Sequence, residues 1–152
     1  VGMAIALDDK AGTYINFNDC IHEDYFINEF RNIFEDGNIK KYGHDVKNFI
    51  VYIMNKDISL EGLAFDTMIG AYLINSTRAT YTLSELSREY LGIEIESIEE
   101  LSGKGRNFVA YGDMQEQIIS RVACTHACAI LNIAEVLEEK IKNTIRSICV
   151  MI

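Results

Sequence analysis

The chain has no proline in 152 residues, an absence for which the sequence offers no physical reason. It also lacks positive charge: 14 Lys and Arg stand against 23 Asp and Glu, a formal net charge of −9. Phosphate is repelled over most of such a surface, which disfavours tight nucleic-acid binding by this chain alone. No apolar run reaches the ~18 residues of a transmembrane helix, and no basic-then-apolar signal opens the sequence, so no membrane partner is expected. The four cysteines (Cys20, Cys124, Cys128 and Cys149) lack the spacing of a small secreted scaffold. A reducing, cytoplasmic setting is the simpler expectation. Internal repeats, linkers and low-complexity stretches are missing too, which leaves one compact domain.

What is present is apolar and periodic. Hydrophobic residues make up 49% of the chain, enough to exclude disorder, and a domain of ~150 residues buries roughly 70% of its unfolded surface. The organising stretch is Gly62 to Asn75. Leu63-Ala64-Phe65 is too short for a helix and apolar on both faces, which suits a buried strand. Asp66 stands where a helix N-cap belongs, and Met68, Ile69, Tyr72 and Leu73 follow at helical spacing. A strand feeding a helix in this way points to an α/β layered domain.

Elsewhere, Val1 to Leu7 reads as a buried strand, turned at Asp8 to Gly12 onto an alternating strand from Thr13 to Phe17. A chain that starts inside a buried strand is expected to be a fragment. Phe26, Ile27, Phe30, Ile33 and Phe34 form one stripe of a helix from Glu23 to Asp36, stopped by Gly37. Ile39 to Tyr42 is a short strand. Asp45 is placed to cap a helix striped by Val46, Phe49, Ile50, Ile53 and Met54. The return through Ile58 and Leu60 to Leu63 completes a βαβ unit with a right-handed crossover. Thr82 to Glu85 and Ser97 to Glu100 are capping boxes, and the longest helix is expected from Asp113 to about Lys140.

Three stretches together resemble the 3′–5′ exonuclease-like domain of bacterial DNA polymerase I. They are Lys41-Tyr42-Gly43-His44-Asp45-Val46-Lys47-Asn48, then Glu61 to Met68 with Ala71 to Asn75, then Leu101-Ser102-Gly103-Lys104-Gly105-Arg106. The resemblance implies an α/β fold of the ribonuclease H-like kind, a mixed sheet flanked by helices. It assigns residues 1–140 to that domain without its first strand and leaves residues 141–152 as an unassigned tail. Exposed sheet edges would then favour self-association. Implied partners are the polymerase domain of the same parent chain and, through it, DNA.

Active members of that family hold two divalent ions on carboxylates, which activate a water and stabilise the leaving oxygen. The first of their motifs, Asp-x-Glu, would lie upstream of Val1. Their second metal-binding Asp falls on Phe49. Their Tyr-x-x-x-Asp falls on Val122 to His126, so Val122 replaces the tyrosine and His126 the aspartate. The resemblance therefore implies a degenerate domain with no catalytic residues and no metal, kept as a module beside the polymerase. Mg²⁺ or Mn²⁺ enters only in the alternative, an active exonuclease completed by upstream residues. A third class, a free-standing protein-binding module, would show an exposed apolar patch of several hundred Å².

Other candidates have plainer explanations. Asp45 and Asp66 are candidate replacements for lost ligands, but both sit at N-cap positions. Cys124, His126 and Cys128 suggest zinc, yet residues i and i+2 of a helix point nearly opposite. Lys104 and Arg106, between glycines, are the candidate phosphate contacts; a solvated or domain-docking loop is the competing account. Tyr14, Tyr81 and Tyr111 are candidate stacking platforms for single strands.

Overall fold

The computed structural model of the chain describes residues 2–17, 21–103, 109–110 and 113–149. The first two strands, β1 (Gly2–Ala6) and β2 (Gly12–Asn16), pair antiparallel from Gly2↔Asn16 to Ala6↔Gly12. Their turn is held by Asp8, whose Oδ1 accepts the N–H groups of Lys10 (2.8 Å) and Ala11 (2.9 Å). The stripe that follows was expected to be one helix. It is two, α1 (Glu23–Glu29) and α2 (Arg31–Glu35), joined at Phe30. Phe30 keeps a right-handed backbone (φ −85°, ψ −2°). The apolar period therefore survives the break, and Phe26, Phe30 and Phe34 still meet in sequence as tilted ring pairs, 4.2 and 6.2 Å between centroids.

The βαβ unit is present as β3 (Lys41–Gly43), α3 (Lys47–Met54) and β4 (Leu63–Asp66), with β3 and β4 parallel. Gly62 enters β4 at φ +68°, and a Cβ there would stand 2.5 Å from the Ile39 carbonyl oxygen. Only glycine suits both demands. Among the described residues four further helices follow: α4 (Thr67–Ile74), α5 (Leu83–Tyr90), α6 (Ile98–Ser102) and α7 (Glu116–Cys149). Ser97 caps α6 through a full capping box with Glu100, as the sequence predicts.

Helix α7 runs for 34 residues, about 51 Å. It packs against β1, β2, β3, α4 and α5 and so ties the two halves together. It starts later than the expected Asp113 and extends past Lys140, taking the tail into helix as far as Cys149. The tail has no glycine or proline to stop it, and Lys142 pairs with Glu138 one turn earlier (3.1 Å). By length and hydropathy alone Glu116–Arg146 would also suit a membrane span. Here its apolar face, Val122, Ala129, Ile133, Ala134 and Leu137, is buried in the domain.

Two clusters make the core. One is aliphatic, with Ala71, Leu83, Leu86, Ala129, Ile133 and Leu137 between α4, α5 and α7. The other is aromatic-rich, with Phe26, Ile27, Phe34, Ile53 and Ile58 enclosed by Phe17, Phe30, Phe49 and Tyr52. The α/β class holds, with both strand directions and flanking helices. Among the described residues the strands form two ladders, β1–β2 and β3–β4, bridged by α7.

Candidate functional site

The polar centre of the domain lies where β3 and β4 end side by side, Gly43 opposite Asp66. Asp66 caps α4, its Oδ1 accepting the N–H groups of Met68 (2.8 Å) and Ile69 (3.3 Å). The same carboxylate reaches across to the β3–α3 turn. Oδ1 accepts the Asp45 N–H (3.2 Å) and Oδ2 the Val46 N–H (2.9 Å). One buried carboxylate thus serves the amides of two helix starts. Asp45 therefore does not cap α3, contrary to the sequence expectation. The N-cap is Val46, and Asp45 sits at φ +50° with its own N–H spent on Asp66. The second strand overrode the local cap, a contact that local spacing cannot reveal.

Beside Asp66, the Thr67 side chain is fully buried. Its Oγ1 lies 3.2 Å from the Gly43 carbonyl oxygen and 2.9 Å from His44 Nδ1. Burial holds the His44 imidazole below its ordinary pKa, against the opposing pull of Asp66 and Asp45. His44, Asp45, Met68, Leu83, Arg88 and His126 line a cleft of about 1070 Å³. Residues 44 and 126 come together only in the fold, and sequence reasoning did not join them.

The three diagnostic positions separate. Phe49 is in the aromatic cluster, edge-on to Phe34 at 5.6 Å and stacked on Tyr52 at 6.3 Å. Val122 is 3% exposed in the core. Only His126 reaches the cleft, where Nε2 lies 2.7 Å from the Glu96 carbonyl oxygen, and Arg121 pairs with the Glu96 carboxylate at 2.7 Å. Cys124 backs onto Gly12, where a Cβ would come within 3.0 Å of its backbone, and Cys20 and the Cys149 side chain lie outside the described residues. Burial, with Asp8 and Asp9 nearby, raises the Cys128 thiol pKa. Among the described residues no group of three or more His, Cys, Asp or Glu side chains converges as metal ligands would. Tyr81 meets Tyr72 edge-on at 5.9 Å, and Tyr14 sits in β2. Lys104, Arg106 and Tyr111 lie outside the described residues.

Parallel strands crossing through α3, a capped β4–α4 junction and one long helix bracing both ladders define a ribonuclease H-like α/β domain. Residues 1–132 match the family described as "DNA polymerase I, ribonuclease H-like domain". The chain belongs to that family. It is 25% identical over 134 residues to DNA polymerase I of Pseudomonas aeruginosa, covering 87% of this chain and 15% of that protein. It is 29% identical over 115 residues to DNA polymerase I of Bacillus subtilis, covering 75% of this chain and 13% of that protein. The chain thus spans only about a seventh of these relatives. A solved structure, the POL domain of Pol1 from M. smegmatis in complex with DNA primer-template and dNTP, superposes with a TM-score of 0.67. That match covers 91% of this chain and 20% of the other at 20% identity, and it shows a shared fold.

Proposed function

We propose that this chain is a catalytically silent exonuclease-like domain of a DNA polymerase I, retained in the cytoplasm as a support for a polymerase domain in replication and repair. The observation that carries this is the fate of the positions where the resemblance places the family's metal-binding and water-orienting side chains. Phe49 and Val122 are apolar and packed against or within the core, so the first offers no oxygen to a hard divalent ion and the second cannot orient a water. His126 has a ring nitrogen engaged by a backbone carbonyl. Asp66, the buried carboxylate at the end of β4, has both oxygens taken by backbone amides. A two-metal centre does not fit these residues, because it needs several anionic oxygens on one spot.

The chain's contribution is then mechanical: a braced α/β frame that positions neighbouring structure, with DNA reached through the polymerase. Its net charge of −9 agrees with a domain that does not grip phosphate by itself. The test is degradation of a 3′-labelled single-stranded oligonucleotide in Mg²⁺ and in Mn²⁺, using the polypeptide as the cell produces it. The expected result is no shortening above a metal-free control. Metal-dependent shortening from the 3′ end that is lost in Asp45→Ala or Asp66→Ala would overturn the proposal.

A further inference from the structure

Helix α4 is apolar on two opposite faces, and only one is covered. Gly70, Ala71 and Ile74 look toward α7 and the aliphatic cluster. On the other side Ile69, Tyr72 and Leu73, spaced i, i+3 and i+4, are 53%, 52% and 68% exposed. From Leu63 to Asn75 the only charged residue is Asp66, which is buried and bonded inward. A helix that is apolar all round is normally a buried one. The edge of the patch is ordered: Tyr81 stands edge-on to Tyr72 and donates its hydroxyl to the Asn75 carbonyl (2.8 Å). The Arg78 guanidinium lies 5.7 Å from the centre of the Tyr81 ring and pairs with Glu89. An uncharged centre with aromatic and arginine residues at its edge is the composition of an interface core.

We infer that the outer face of α4, centred on Ile69, Tyr72 and Leu73, docks against the polymerase domain of the same polypeptide. This rests on the supporting role proposed above, and it names the surface that performs it. The choice of occupant follows from area. Three half-exposed side chains fall far below the roughly 800 Å² per partner of a stable complex between separate molecules. A second copy of the chain is therefore poorly served by this patch. A tethered domain is well served, because linkage raises its effective concentration to the millimolar range and a small contact suffices. Relatives of which this chain matches 15% and 13% supply the remainder in which such a domain lies.

The test places a cysteine at Leu73, and separately at Leu7, which is 95% exposed on the hairpin turn. Maleimide labelling of each, in the polypeptide as the cell produces it, is followed by peptide mass so that the native thiols are resolved. Leu73→Cys is expected to react at least 10-fold more slowly than Leu7→Cys, at a ratio unchanged by dilution. A bifunctional cross-linker from position 73 is expected to reach polymerase-domain peptides. Equal labelling rates, or protection that disappears on dilution with cross-links between copies, would overturn the inference. Cross-links to the polymerase domain from other faces only would overturn this surface and leave the supporting role standing. No link to a polymerase domain from any face would overturn both.

Discussion

Two regions of this domain treat polar atoms in opposite ways. At the ends of β3 and β4, Asp66, Thr67 and His44 form a tight polar knot in which Asp66 accepts four backbone N–H groups and Thr67 joins His44 to the Gly43 carbonyl. On α3 and α7, Phe49 and Val122, where the resemblance places a metal-binding aspartate and a water-orienting tyrosine, are both turned into apolar packing. The difference lies in what each polar group is for. A carboxylate that satisfies buried amides is needed for folding whatever the protein does, since unpaired amides are costly. A carboxylate that serves only a bound ion is a buried charge without a partner once the ion is gone, and an apolar side chain is then the better occupant.

The comparison breaks first at Asp66. Asp66→Ala removes the α4 cap and strands amides from two helix starts, and should destabilise the domain by about 3 kcal/mol in urea unfolding. Asp66→Asn, which keeps acceptor oxygen on one side, should lose roughly half as much. A loss below about 1 kcal/mol for the alanine variant would mean that the knot does not hold the frame. Next comes Phe49→Asp, which puts a carboxylate where the resemblance places one. Placing that charge among Phe34 and Tyr52 should cost about 2 kcal/mol and restore no metal-dependent nuclease activity. Activity appearing in this variant would show that Phe49 alone had silenced the site.

A smaller effect is expected at His126, where alanine removes one exposed contact to the Glu96 carbonyl and should cost about 0.5 to 1 kcal/mol in the same assay. The gentlest probe is pH. Burial lowers the folded-state pKa of His44 below its ordinary value of 6.5, so the folded domain takes up this proton later than the unfolded chain. Its contribution to stability is level above pH 6.5 and falls as the pH drops from 6.5 toward the folded-state value. Urea midpoints at pH 7.5 and 5.0 should separate less in His44→Gln than in the unsubstituted protein. An equal separation would remove His44 from the account.

Much of this frame was legible because it rests on local pattern. The hairpin, the βαβ unit, the Asp66 cap and the Ser97 capping box each follow from spacing within a few residues. The packing of Phe49 against the core was legible too, from the stripe it shares with Ile53. The errors arose where tertiary contact overrides local preference. Asp45 looks like a cap, but Asp66, 21 residues on, takes its N–H and holds it at positive φ. The break at Phe30 leaves the helical period intact and so leaves no trace in the pattern. The placing of His44 and His126 on one cleft depends on how α7 lies over β3, which no local signal encodes. Reading Phe49, Val122 and His126 as one group depended on family likeness, because the fold itself scatters them between core and cleft.

The function proposed above requires that the cleft keep its frame without metal chemistry. Titrating Mn²⁺ into the isotope-labelled protein and following amide broadening at His44, Asp45, Asp66 and His126 tests it most directly. The account predicts no selective, saturable broadening at these positions up to millimolar Mn²⁺. Saturable broadening centred on them at micromolar Mn²⁺, reversed by chelator and reduced in Asp45→Asn, would contradict it.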